Sequence, residues 1–172
     1  ILFGDSFVSL KIFPIVVYFF ISYAIYKICL NLSFDKKKAK LCALSFLIIP
    51  AASLSSFLIS TDLLLLLFWA ISMVLLLKVI KTNLTINFFL LGLVLGLGFL
   101  AKYAAIYFLL SFLILVFVDK KILTSLKRDI FAWLIFPLVL VLVLLPNIYW
   151  NINNEWVTLS HTSDNANLKN LN

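Results

Sequence analysis

Charge is what this sequence has least of. Only 12% of its 172 residues are Asp, Glu, Lys or Arg, where a soluble globule carries about a quarter. The chain is 65% hydrophobic and its mean hydropathy is +1.18. A water-soluble fold of this length could not bury that much apolar surface, which excludes a soluble single domain. Histidine is nearly absent as well: His161 stands alone in the tail, with no second His or Cys to complete a metal site, so no metal centre is expected. The two cysteines, Cys29 and Cys42, form no CxxC pattern and lie near the ends of apolar runs. They read as inert thiols, and no redox role or cofactor follows from them. No basic segment leads into a short apolar signal region. The chain opens at Ile1 instead of Met, and it is expected to be a fragment of a longer protein. Internal repeats and low-complexity linkers are missing too.

What the chain has in quantity is long apolar runs, with 17 Phe and four Trp suited to lipid-facing and interfacial positions. A helix crosses the roughly 30 Å hydrocarbon layer with about 20 apolar residues, and lipid-exposed loops cannot exist inside that layer. The expected fold class is therefore all-α, a polytopic integral membrane bundle of about six transmembrane spans. These fall at about 12–30, 41–59, 63–80, 85–100, 103–118 and 130–146, with an outside tail over 147–172.

The run from Phe88 to Val118 decides that count. It holds one charge, Lys102, and as a single helix it would reach about 46 Å at 1.5 Å per residue, well beyond the hydrocarbon core. Tilt absorbs only part of the excess. One lysine costs only about 3 kcal/mol on insertion scales, less than the surrounding Leu and Phe return, so hydrophobicity alone forces no break. The loop charges supply an independent test. With a turn near Lys102, every basic residue except Lys11, Lys102 and Lys169 falls on one side of the membrane. A single long helix would instead send "DKKILTSLKRD" across from "DKKKAK". The preference for basic residues in cytoplasmic loops favours the turn. It puts loops 31–40, 81–86 and 119–129 in the cytoplasm, and the N-terminus, the turns at 59–62 and 101–103 and the tail outside. The net charge of +7 then reflects cytoplasmic anchoring. No aromatics interleave those basic loops, so a nucleic-acid partner is not expected. The "NLS" and "NLT" sequons at Asn31 and Asn83 fall in cytoplasmic loops and read as accidental.

Three features then gather on the outside face: Asp62 in "STDLLLLLFWA", Lys102 in "GLGFLAKYAA", and the tail "NIYWNINNEWVTLSHTSDNANLKNLN". Each has a plain structural reading. Asp62, just after Ser60 and Thr61, suits an N-terminal cap favoured by the helix dipole. Lys102 suits a turn with its ammonium reaching the headgroups. Trp150 and Trp156 suit interfacial anchors, and His161 a solvated loop residue. Gly92 and Gly96, at four-residue spacing with Gly98 beyond them, allow close helix packing before Lys102. That arrangement suits a buried short span ending in a charge beside a site.

In order along the chain, "LFGDSFVSLKIFPIVVYFFISYAIYKI", "STDLLLLLFWAISMVLLLKVI", "GLVLGLGFLAKYAAIYFLL" and "LPNIYWNINNEWVTLSHT" resemble the membrane core of a known group of enzymes. These are the dolichyl-phosphate-mannose protein mannosyltransferase-like and aminoarabinose transferase-like GT-C glycosyltransferases. The resemblance implies an inverting transferase that takes a sugar from a polyprenyl-phosphate-linked donor to a lipid or protein acceptor on the periplasmic face of a bacterial inner membrane. It implies that Lys102 neutralises the departing donor phosphate, with Tyr103 as a hydrogen-bond donor beside it. Asp62 takes the place of the family's second outside-facing acid. Trp150, Asn151, Trp156 and His161 are the substrate-binding candidates. The main acid, expected to take the acceptor proton, belongs upstream of "LFGDS" and is absent, and Asp5 does not replace it. The fragment is therefore expected to be inactive. The chain departs from the family in carrying Lys11 in place of Arg, which weakens a bidentate phosphate contact, and "STD" in place of "TPD".

Two other readings remain open. In a secondary transporter, Asp62 and Lys102 would form a coupling pair near the midplane, although no second, repeated half is visible. In a noncatalytic membrane subunit the same charges would serve only as caps and anchors.

Overall fold

The computed structural model describes residues 7–55, 60–158 and 160, with no strand among them. The helices are α1 (Phe7–Asn31), α2 (Lys36–Ile48), α3 (Pro50–Ser55), α4 (Thr61–Thr82), α5 (Thr85–Ala101), α6 (Ile106–Val118), α7 (Lys120–Arg128) and α8 (Ile130–Asn153), and a short 3-10 turn, Tyr103–Ala105, joins α5 to α6. The fold is an all-α membrane bundle. Ile12–Asn31, α4 and α8 are each long and apolar enough to cross a bilayer, and α5 and the stretch Tyr103–Val118 are shorter apolar helices. Helices are the local solution because each backbone N–H and C=O is then satisfied within its own segment.

The apolar run around Lys102 is interrupted. Helix α5 ends at Ala101, and Lys102 leaves the helix with φ −161° and ψ 132° while its N–H still bonds Gly98 O. Its carbonyl accepts from Ala105 N at 3.1 Å, which starts the 3-10 turn that leads into α6. The α4–α5 connection is tighter. Asn83 caps α4 in the left-handed region at φ 51°, a conformation that Asn tolerates better than most residues. The "NLT" sequon is thus a turn signal.

Three elements differ from the expected spans. The segment 41–59 is not a single helix: α2 stops at Ile48, and Ile49, at ψ 125°, precedes Pro50. Proline has no N–H to give and drives the preceding residue out of the α region. Residues 56–59 lie outside the described residues. The stretch 119–129, read as a loop, carries α7, which buries Ile122 and Ser125 while its lysines stay exposed. Finally, α8 runs through Pro146 to Asn153, so the polar residues from Asn147 belong at first to a helix and not to a tail.

The core lies between α4, α5 and α8. Along α5 the buried residues Phe88, Leu91, Gly92, Leu95, Gly96 and Phe99 follow the three-and-four spacing of one helix face. Trp133 of α8 meets Phe88 edge-on at 5.1 Å and stacks on Phe112 of α6 at 5.3 Å. Between apolar helices in lipid there is little hydrophobic gain, so contact depends on close packing. The glycines set that distance. A Cβ on Gly92 would stand 2.4 Å from the Phe136 carbonyl oxygen and 2.9 Å from Val139 Cβ, and one on Gly96 would stand 2.8 Å from Val143 Cβ. Away from the core, Phe117, Phe131 and Ile48 are among the most exposed apolar side chains, as a lipid-facing surface requires.

Gly92→Ala is expected to destabilise the bundle by about 1–3 kcal/mol, because overpacking against α8 backbone outweighs the roughly 1 kcal/mol gained in helix propensity. Gly98→Ala, whose Cβ would meet Phe68 Cβ at 3.3 Å and Ala105 Cβ at 3.9 Å and no backbone atom of another helix, is expected to be close to neutral. Thermal unfolding of both variants in detergent, followed by tryptophan fluorescence, checks the difference.

Candidate functional site

Four acidic residues begin helices, and three of them are caps. Asp35 Oδ1 accepts from Lys38 N at 2.7 Å, Asp119 Oδ1 from Lys121 N at 2.8 Å, and Asp129 Oδ1 from Ala132 N at 2.9 Å. Asp62 is different. It sits in the first turn of α4 behind Ser60 at the N-cap position, whose side chain makes no capping bond. Its carboxylate instead pairs with the Lys102 ammonium, 40 residues along the chain. The break at Lys102 and the start of α4 are thus brought to one end of the bundle. The pair is open, with side chains 43% exposed for Lys102 and 65% for Asp62. An ion pair this exposed contributes at most about 1 kcal/mol to stability. An ammonium has three donors, so pairing with Asp62 leaves Lys102 able to bind a further anion.

Next to Lys102, Tyr103 joins a second set of polar groups. Its hydroxyl donates to Asn147 Oδ1 at 3.1 Å and lies 2.8 Å from Thr158 Oγ1. Thr158 Oγ1 also donates to Asn151 Oδ1. Asn151 Nδ2 donates to the Asn147 carbonyl at 2.9 Å and to Asn147 Oδ1 at 3.2 Å. Two hydroxyl protons therefore serve three contacts, and the Tyr103 hydroxyl is already engaged within the protein. Asn151 is 1% exposed, and an amide buried that deeply must be bonded. The chain returns to it through Glu155 and Trp156, both left-handed at φ 52° and 57°, with Trp156 N bonded to Asn151 O at 3.0 Å. Left-handed backbone at such residues costs about 1 kcal/mol or more each, a cost that the bonds around Thr158 help to offset.

The candidate residues thus separate into groups. Asp62, Lys102 and Tyr103 share one end of the bundle, and Asn151 reaches Tyr103 through Asn147 and Thr158. Trp150 and Trp156 are exposed at 48% and 44% and are bonded to this region through their backbone, Trp156 N to Asn151 O and Trp150 O from Asn154 Nδ2. His161 and Asp5 lie outside the described residues, as does the side chain of Lys11. Asn147 and Thr158 were missed by sequence reasoning. The four-residue spacing of Asn147 and Asn151 would have exposed the shared helix face had the polar residues from 147 not been read as a tail. No group of three or more His, Cys, Asp or Glu suited to a metal ion occurs among the described residues. Cys29 and Cys42 are both free thiols.

Residues 1–150 match the family described as dolichyl-phosphate-mannose-protein mannosyltransferase. The chain belongs to this family. Its members are GT-C-type membrane glycosyltransferases, and the match extends from before Asp62 to Trp150, covering Lys102, Tyr103 and Asn147. A lipid A galacturonosyltransferase of Rhizobium johnstonii, RgtD, is 30% identical over 122 residues, which is 71% of this chain and 25% of that protein. The chain therefore spans about a quarter of the length of the curated relative it matches. No solved structure matches.

Asn151→Ala is expected to cost about 1–3 kcal/mol, because it leaves Asn147 and Thr158 short of partners in a buried setting. In a protein of this size that lowers the melting temperature by about 2–4 °C per kcal/mol. Asn154→Ala, which loses only a bond from an exposed side chain to Trp150 O, is expected to stay within about 0.5 kcal/mol. Parallel melting curves in detergent compare the two.

Proposed function

We propose that this chain is part of the membrane domain of a glycosyltransferase that moves a sugar from a polyprenyl-phosphate-linked donor to an acceptor hydroxyl on the periplasmic face of a bacterial inner membrane. The observation that carries this reading is the Asp62–Lys102 pair, held open at one end of the bundle in a chain of this family. In the reaction, the bond between the anomeric carbon and the phosphate oxygen breaks and the acceptor oxygen bonds that carbon. The acceptor proton passes to a carboxylate base, which we assign to the part of the full-length protein upstream of this chain. Negative charge then grows on the departing lipid phosphate. An ammonium from which water has been excluded stabilises that charge more strongly than water does. Lys102, open before the donor arrives, fills this role once the donor covers it. Asp62 holds the ammonium before the donor arrives and orients the sugar or acceptor, while Tyr103, engaged with Asn147 and Thr158, fixes the far side of the turn.

The accompanying topology has six spans, with the turn at Lys102, the start of α4 and the end of α8 outside and the basic loops in the cytoplasm. Trp150, Trp156 and His161 would border the substrate beyond α8. The family name refers to a protein acceptor and the relative's name to lipid A, so both acceptor classes belong in an assay. Family membership weighs against the transporter reading.

In the full-length enzyme, Lys102→Ala is expected to lower transfer by about a hundredfold or more, the scale seen when one electrostatic donor is removed. Asp62→Asn is expected to abolish transfer as well. Because the exposed pair adds little stability, both variants should insert into membranes at wild-type levels. Assay of transfer from a panel of lipid-linked sugars, alongside membrane fractionation, is the measurement; wild-type turnover in both variants would remove the site assignment.

A further inference from the structure

The opposite end of the bundle holds a cavity of about 550 Å³, a size typical of ligand sites. It opens between the C-terminal ends of α1 and α4 and the amphipathic helix α7. On α4, Asp62 and Lys81 lie about 28 Å apart at 1.5 Å per residue, so this cavity is remote from the pair described above. Four cations line it: Lys81, Lys120, Lys121 and Arg128. The carboxylate that lines it, Asp119, is already bonded to the Lys121 backbone N–H at 2.8 Å. Lys81 donates to the Asn31 carbonyl, which fixes its ammonium over the cavity and leaves two further donors. Ser125 Oγ accepts from Trp133 Nε1 at 3.3 Å and keeps its own proton as a donor. Leu32, Leu77 and Ile80 form an apolar part of the wall.

We propose that this cavity binds the phosphodiester headgroup of an anionic phospholipid. Four cations against one engaged carboxylate call for an anion, and the Arg128 guanidinium suits phosphate oxygens. The apolar wall and the adjoining spans suit a ligand that carries acyl chains beside its phosphate. No aromatic side chain is among the residues lining the cavity, so it offers no platform for stacking a base. Helix α7 completes the fit. It packs Ile122 and Ser125 against the bundle and exposes Lys120, Lys121, Lys127 and Arg128, which leaves its cations free to meet an anionic headgroup layer. Basic pockets at the ends of transmembrane helices, where the leaflet is anionic, bind such headgroups in this way.

The test is native mass spectrometry of the full-length protein in detergent, titrated separately with dioleoyl-phosphatidylglycerol, dioleoyl-phosphatidylcholine and inorganic phosphate. Phosphatidylglycerol is expected to bind at least about tenfold more tightly than phosphatidylcholine. The triple variant Lys120→Gln/Lys121→Gln/Arg128→Gln is expected to lose about tenfold or more of that affinity, since each basic residue near a headgroup contributes measurably. Lys36→Gln/Lys37→Gln/Lys38→Gln, which removes the same charge from α2, should stay within about twofold of wild type. Lys120→Gln alone, a change at an exposed position, should retain the wild-type circular dichroism spectrum and still weaken binding, which separates a lost site from a lost fold. Equal binding of the two lipids, or equal losses in the two triple variants, overturns the proposal. Displacement of phosphatidylglycerol by inorganic phosphate at a comparable concentration also overturns it, in favour of a soluble anion.

Discussion

The close approach of α5 to α8 is the constraint on which the rest of the structure depends. With a side chain at Gly92 or Gly96, α5 would collide with the backbone at Phe136 or with Val143. The two helices carry different parts of the same end of the bundle. Helix α5 delivers Lys102 and the turn with Tyr103, and α8 delivers Asn147 and Asn151. The bonds from Tyr103 to Asn147 and Thr158 lie beyond the point where Gly92 and Gly96 let the two helices touch. A packing decision in the apolar middle thereby sets the polar geometry at the end. In lipid, where helices gain little from simply being apolar, such small-residue contacts are what fix one arrangement over another.

The same bundle sorts its charges by role. Asp35, Asp119 and Asp129 each satisfy backbone donors at a helix start, which is the ordinary use of an acid there. Asp62 stands two residues past the N-cap, in the first turn of α4, and pairs with Lys102 instead. At the other end of α4, Lys81 reaches the C-terminal carbonyl of α1, a favourable use of a cation against the helix dipole. The two ends of one helix thus present opposite situations: an open ion pair at the start and a basic cavity at the finish.

Much of this was legible in the sequence, for identifiable reasons. The break at Lys102 could be read because the apolar run around it is too long for one span and because the basic loops sort to one side only if it turns. Asp62 could be placed near Lys102 for the same reason, although the direct pairing could not. What stayed hidden depended on local competition. The run 41–59 is apolar enough for a span, but Pro50 ends α2. Pro146 carries the same chemistry and does not end α8, since a helix packed among others tolerates the missing bond. Helix α7 is too polar to register as an apolar run, yet Asp119 before it and the spacing of Ile122, Ser125 and Leu126 mark its start and its buried face. The Tyr103 network was missed because Thr158 returns to α8 through left-handed residues that are not glycine, a turn with no compositional signal.

The exposure of the Asp62–Lys102 pair bears on what the pair can do. Two unit charges 4 Å apart interact by about 1 kcal/mol in bulk water and about 4 kcal/mol at an effective dielectric of 20. Left open, the pair gains little and holds Lys102 weakly in place. Under the proposed function, a lipid phosphate entering beside Lys102 excludes water from the same ammonium, and each contact to it then strengthens. On that proposal the ammonium is held loosely enough to accept the donor and closely enough to need no search when charge develops. A neutral turn at this position would have served the helix break equally well; a cation facing an acid would, on the same proposal, also let that end of the bundle respond to an arriving anion.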